Sequence, residues 1–156
     1  MLYVGVVGPG AVDEQQSALC EDARAVGRAL AEARAIVVCG GLGGVMAAVS
    51  EGVAERDGQC VGLLPGDDRS AANDSLSVAL PTGAGEGRNW LIVCASDVVI
   101  AIGGGYGTLS EIALALRAGR HVVGLRTWPI AEQDALMHTA RSASDAVTTA
   151  LRLAAA

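Results

Sequence analysis

A continuous apolar run, Val98-Val99-Ile100-Ala101-Ile102, leads into Gly103-Gly104-Gly105-Tyr106-Gly107-Thr108-Leu109-Ser110-Glu111. A strand that feeds a glycine-rich turn at a helix start makes a seat for an anion. The first N–H groups of a helix have no intrahelical acceptor, and the helix dipole adds partial positive charge there. Glycines let a phosphate approach the backbone with no Cβ in the way. The amides of Gly104, Gly105, Tyr106, Gly107 and Thr108, with the Thr108 hydroxyl, are the candidate phosphate ligands. Glu111 follows one turn into the same helix. A carboxylate does not hold a phosphate, so it implies a second task. The plainer alternative is that Thr108-Leu109-Ser110-Glu111 is a capping box that only closes the helix start.

Two other glycine turns follow apolar runs, Gly8-Pro9-Gly10 and Gly40-Gly41-Leu42-Gly43-Gly44-Val45-Met46. Gly8, Gly10, Gly41, Gly43, Gly44 and Met46 are therefore candidate ligand contacts. The first turn is not a dinucleotide fingerprint: its glycine spacing is wrong, and Pro9 removes an amide donor. Arg88 and Asn89 lie in Gly85-Glu86-Gly87-Arg88-Asn89-Trp90 at a further helix start. A cation there opposes the helix dipole. Its guanidinium suits bidentate contact with phosphate or carboxylate.

Composition narrows the chemistry. The chain has 156 residues, with 51% hydrophobic residues and a formal net charge of −6, which suits one globular domain spanning residues 1–156. The acidic balance argues against nucleic acid or an anionic membrane as partner. All 11 basic residues are arginine. The lack of lysine excludes a Walker A loop and a Schiff-base pyridoxal-phosphate enzyme. Aromatics at 3% argue against a stacking platform for single strands. Cys20, Cys39, Cys60 and Cys94 form no C-x-x-C pair and read as reduced core residues of a cytoplasmic protein. His121 and His138 stand in no ligand spacing, so no metal is expected, and no nucleophile motif is visible.

These residues must be positioned by alternating strands and helices. Strands are expected at Tyr3–Val7, Ile36–Cys39, Cys60–Leu64, Val98–Ile102 and His121–Leu125, with Leu76–Leu80 at an edge. They are apolar nearly throughout, as parallel strands covered on both faces are. One helix follows Asp13 with Leu19, Ala23, Val26, Leu30 and Ala33 inward. A second starts near Gly43, and a third covers Arg88–Cys94. The fourth runs from Gly107 or Thr108 to Gly119, with Leu109, Ile112, Ala113 and Leu116 inward. One or two helices fill Ala131 to Leu153, and Pro65–Asn73 reads as a mobile loop. The order implies an α/β fold with an open, doubly wound parallel sheet, whose ligands sit beyond the carboxyl ends of the strands. Leu114 widens the apolar face of the fourth helix. That predicts a homodimer packed through this helix or the one beginning near Arg88.

Gly104-Gly105-Tyr106-Gly107-Thr108-Leu109-Ser110-Glu111 resembles the P/G-G-G-x-G-T-x-x-E motif of the Lonely Guy (LOG) family and its wider Rossmann-like superfamily, long labelled "lysine decarboxylase-like". Gly40–Met46 is similar to that family's earlier glycine turn, and Arg88 falls at its upstream arginine. The likeness covers roughly residues 2 to 125. It implies a Rossmann-like fold, a homodimer, and Arg88 and Glu111 as a catalytic pair that hydrolyses the base–ribose bond of a nucleoside 5′-monophosphate without a cofactor. Asn89 stands where characterised LOG enzymes have lysine, and Gly103 where they usually have proline. These variants resemble a small bacterial subgroup and the molybdenum-cofactor carrier proteins. The cytokinin substrate of LOG enzymes is therefore not carried over. The alternative is a non-catalytic carrier or sensor of a phosphorylated ligand.

Overall fold

The computed structural model describes residues 1–130 and 134–156. Seven strands form one sheet in the order β4-β3-β2-β1-β5-β6-β7. They are β1 (Tyr3–Val7), β2 (Ile36–Cys39), β3 (Gln59–Leu64), β4 (Val78–Pro81), β5 (Val98–Ile102), β6 (Val122–Leu125) and β7 (Met137–Ala140). Every pairing is parallel. The helices are α1 (Ser17–Glu32), α2 (Val45–Ala54), α3 (Arg88–Cys94), α4 (Tyr106–Arg117) and α5 (Ala143–Ala154). The fold is α/β and Rossmann-like.

The uninterrupted apolar strands follow from two cores. Alternate residues of a strand point to opposite faces. Val4, Val6, Val37, Cys39, Val98, Ile100 and Ile102 enter the core under α1, α2 and α5. Val7, Val38, Val99 and Ala101 enter the other, with Ile92 and Val93 of α3 and Ile112 and Ala115 of α4. Each fully buried Val or Ile contributes about 1.5–3 kcal/mol relative to exposure.

The expected ends of β1, β2, β5 and α3 agree with the structure. Other expectations need correction. The region Ala131 to Leu153, expected as helix, holds strand β7 before α5; its residues 131–133 lie outside the described residues. β7 reads Met-His-Thr-Ala and buries only Met137 and Ala140, so it lacks the long apolar run that marks a covered strand. α1 ends at Glu32, and Ala33 is exposed. On α4 the buried residues are Thr108, Glu111, Ile112 and Ala115, whereas Ala113 is exposed and Leu109 and Leu116 only half-buried. The helix is turned so that a carboxylate faces inward, which hydropathy alone does not anticipate. Cys94 is exposed and Cys20 half-buried, so only Cys39 and Cys60 are core cysteines. The Pro65–Asn73 segment is tied to its surroundings: the Asn73 N–H donates to the Gly41 carbonyl at 2.9 Å, and its side-chain amide donates to the Leu42 carbonyl at 3.0 Å.

α1 and α2 approach closely because glycines face each other's backbones. A Cβ on Gly52 would run into the Arg24 carbonyl, and one on Gly27 into the Val49 carbonyl. Neither obstacle is a flexible side-chain end. Gly52→Ala is therefore expected to destabilise the protein by about 1–3 kcal/mol, the usual cost of overpacking, measured by urea unfolding. An unchanged midpoint would mean that the helices part without cost.

Candidate functional site

The strand order reverses between β1 and β5, which lie side by side. The chain leaves β1 for α1 on one face and β5 for α4 on the other, so a crevice opens between the two loops. A cleft of about 370 Å³ occupies it, lined by Gly8, Pro9, Gly10, Leu42, Met46, Glu86, Arg88, Asn89, Gly105, Gly107, Thr108 and Glu111.

The glycine turn after β5 builds one wall. Gly103 has φ +73°, a left-handed backbone that suits glycine. α4 begins at Tyr106, and the first N–H to bond back within it is that of Leu109, to the Gly105 carbonyl at 3.0 Å. The amides of Tyr106, Gly107 and Thr108 thus precede the helical ladder. Thr108 is 2% exposed, and its Oγ1 has no hydrogen-bond partner among the described residues. A buried, unpaired hydroxyl costs about 1–3 kcal/mol, and here it borders the cleft. Because the helix starts at Tyr106, the Thr108–Glu111 capping box does not form: the residue before the helix is Gly105, with no side-chain cap.

Arg88 opens α3 opposite. One guanidinium nitrogen, Nη1, donates to the Gly40 carbonyl at 2.7 Å and to the Leu63 carbonyl at 3.1 Å. These carbonyls belong to the carboxyl ends of neighbouring strands β2 and β3. Gly40 makes room for this: a Cβ there would strike the guanidinium. The buried Nε has no partner among the described residues. Burial pulls the guanidinium below its ordinary pKa, against the attraction of Glu111 and Cys39, but it stays charged.

Glu111 is 8% exposed. Burial pushes its carboxyl up to about 7; Arg88 opposes the shift and Cys39 adds to it. No ion pair joins Glu111 to Arg88 among the described residues. The two act on each other across the cleft, and near neutrality Glu111 is about half protonated.

The structure gathers Gly8, Gly10, Met46, Arg88, Asn89, Gly105, Gly107, Thr108 and Glu111 around one cleft. It does not bring all expected residues there. Gly41 packs on Leu64 and Gly62, while Gly43 and Gly44 pack on the backbone of Pro9 and Gly10. These glycines bring the loop after β2 against the loop after β1, and the Val45 N–H donates to the Pro9 carbonyl at 3.0 Å. Gly104 lies under the Trp128 indole, and Tyr106 is 85% exposed beside it. Pro9, Leu42 and Glu86 also line the cleft and escaped sequence reasoning. Glu86 could have been found from its place two residues before Arg88 in a glycine-flanked turn. No group of three or more His, Cys, Asp and Glu able to hold a metal ion occurs among the described residues. No helix among them is long and apolar enough to cross a membrane.

The model of the SLOG cluster4 family matches residues 1–155. The chain belongs to that family. It is 40% identical over 126 residues to a protein of Archaeoglobus fulgidus described as uncharacterized, covering 81% of each chain. Among solved structures, the molybdenum cofactor binding protein of Rippkaea orientalis shares 30% identity with a TM-score of 0.88, over 97% of this chain and 96% of that one. The molybdenum cofactor carrier protein of Chlamydomonas reinhardtii shares 32% identity with a TM-score of 0.89, over 99% of both chains. The resemblance to the LOG superfamily thus resolves into an SLOG family whose structural neighbours include carriers.

Two outcomes follow from this geometry. Thr108→Val replaces an unpaired hydroxyl by an isosteric methyl. It is expected to raise stability by about 1–3 kcal/mol, because the unsatisfied hydroxyl is removed, but to weaken binding of ribose 5-phosphate about tenfold, since a hydrogen bond to a charged group is lost. Calorimetric titration showing equal affinity would remove Thr108 from the anion seat. For Glu111, the folded pKa lies above the unfolded value. Between about pH 4.5 and 7 the native state therefore binds more protons, and stability falls as pH rises, levelling off above 7. The shift corresponds to about 3 kcal/mol. Glu111→Gln should gain stability over wild type as pH rises from 5 to 8; parallel denaturation profiles for the two proteins would refute the buried, protonated carboxyl.

Proposed function

We propose that this SLOG protein is a non-catalytic carrier of a phosphorylated heterocyclic ligand, with the phosphorylated pterin of the molybdenum cofactor as its cargo. The phosphate rests on the amides of Tyr106 to Thr108, and the ligand enters the cleft between the loops after β1 and β5. The observation that carries this reading is the unpaired Thr108 hydroxyl buried beneath the free amides of α4. The seat lies in a fold shared almost end to end with molybdenum cofactor binding and carrier proteins.

The charge arrangement favours carriage over the hydrolase reading. Stabilising an oxocarbenium-like transition state needs a fixed anion beside the ribose. Burial lifts the Glu111 carboxyl to about 7, so it is less fully ionised at neutral pH than an exposed carboxylate. Arg88 spends Nη1 on two backbone carbonyls, and Asn89 supplies no second cation. A protonated carboxyl also spares a bound phosphate the repulsion that a carboxylate would exert. The homodimer belongs to the same reading: Trp90 and Leu91 on α3 are exposed, and Trp90 lines a surface cavity with Leu114 of α4.

Native mass spectrometry of the purified protein, loaded with molybdenum cofactor, is expected to show one intact phosphorylated ligand per chain and a dimer by mass. Incubation with nucleoside monophosphates is expected to release no free base. Release of base together with ribose 5-phosphate, lost in Glu111→Gln, would overturn the carrier reading in favour of a hydrolase. A monomer in light scattering at micromolar concentration would remove the dimer alone.

A further inference from the structure

The aromatic residues are few: two Trp, two Tyr and no Phe. Tyr106 and Trp128 come together at the start of α4, with ring centroids 6.1 Å apart and planes tilted by 31°. The Trp128 indole N–H donates to the Gly105 carbonyl at 3.2 Å. Gly104 leaves the space the indole fills, since a Cβ there would lie 3.3 Å from its nitrogen. Trp128 is therefore fixed across the glycine turn. Tyr106 is not used this way. It is the first residue of α4, between the cleft-lining Gly105 and Gly107, and it is 85% exposed. A ring that buries so little adds little to folding, yet its own backbone amide belongs to the anion seat and the orphaned Thr108 hydroxyl is two residues on.

We propose that Tyr106 and Trp128 form a stacking subsite for the planar heteroaromatic ring of the phosphorylated ligand. The subsite rests on the reading of the α4 start as the phosphate seat. A phosphate on the amides of Tyr106 to Thr108 places the rest of the ligand within reach of the Tyr106 ring, which shares that backbone. Aromatic faces hold flat heterocycles with little regard to their edge groups. The inclined pair offers an accessible tyrosine face backed by a tryptophan that hydrogen bonding holds in place. Trp128 also lines a cavity of about 170 Å³ with Arg126, Thr127 and Thr139 among others. The Thr127 hydroxyl there is buried without a partner among the described residues. The pair thus selects flat-ring phosphates over sugar phosphates, a preference that the amide seat alone does not provide.

The test uses Trp90→Phe, which leaves Trp128 as the only tryptophan. Neopterin 3′-phosphate, AMP, ribose 5-phosphate and inorganic phosphate are titrated by fluorescence and calorimetry. The two ring-bearing probes are expected to quench Trp128 and bind about tenfold more tightly than ribose 5-phosphate. Adding Tyr106→Ala should abolish that preference while ribose 5-phosphate affinity stays within about twofold; Tyr106→Phe should retain it. A ring preference that survives Tyr106→Ala would overturn the subsite, as would equal binding of ring and sugar phosphates to the parent protein. In both cases ribose 5-phosphate binding leaves the phosphate seat standing. Failure of all four probes to bind would overturn the seat and the subsite together.

Discussion

Between β1 and β5 the sheet changes the direction in which it grows, and the loops leaving these two strands must part. One turns toward α1 and the other toward α4. Backbone that parts leaves polar groups without neighbours, and the parted loops here are rich in glycine, which keeps side chains out of the gap. The crevice thus follows from topology before any functional side chain is considered. What the sequence adds is the filling: free amides and a hydroxyl on the α4 side, a guanidinium from α3, and apolar contacts from Leu42 and Met46. The loop after β2 closes the third side because Gly43 and Gly44 let it lie on the backbone of Pro9 and Gly10.

The buried charges are arranged around Arg88. Taking a guanidinium out of water is costly unless its donors are used. Two strand-end carbonyls meet Nη1, and Glu111 supplies long-range attraction without contact. The carboxyl in turn remains poorly solvated, so its proton is held to about pH 7. Arg88 therefore ties α3 to the ends of β2 and β3 as much as it serves the cleft. Gly40 is needed for that tie.

The legible parts of the fold were those with a single physical cause. β1, β2 and β5 are buried on both faces, and their apolar runs mark their ends. β7 is a short strand at the edge of the sheet, half covered, and Met-His-Thr-Ala carries no such mark. The phase of α4 was hidden for a different reason. Periodicity assigns carboxylates to solvent, but Glu111 faces inward and carries Thr108 and Ala115 with it. The glycines were legible as a group and not individually. Gly105 and Gly107 border the cleft, whereas Gly41 and Gly44 adopt positive φ and pack on neighbouring loops. Both uses require a missing Cβ, so one sequence supports either. Pro9 and Leu42 have no chemistry to announce them and enter the site only through topology.

On the carrier reading proposed above, binding and turnover make different demands on this cleft. The proposed anion seat uses backbone amides, which any sequence compatible with the turn supplies. Turnover requires more: a charge held in its ionised form beside the reacting bond. Burial moves Glu111 away from that state, and Arg88 stands too far off to hold it ionised through an ion pair. A cleft that keeps its amides while its acid is only partly ionised suits the proposed holding of a phosphorylated ligand with no bond strained. That is the behaviour a carrier needs, because its cargo must leave unchanged.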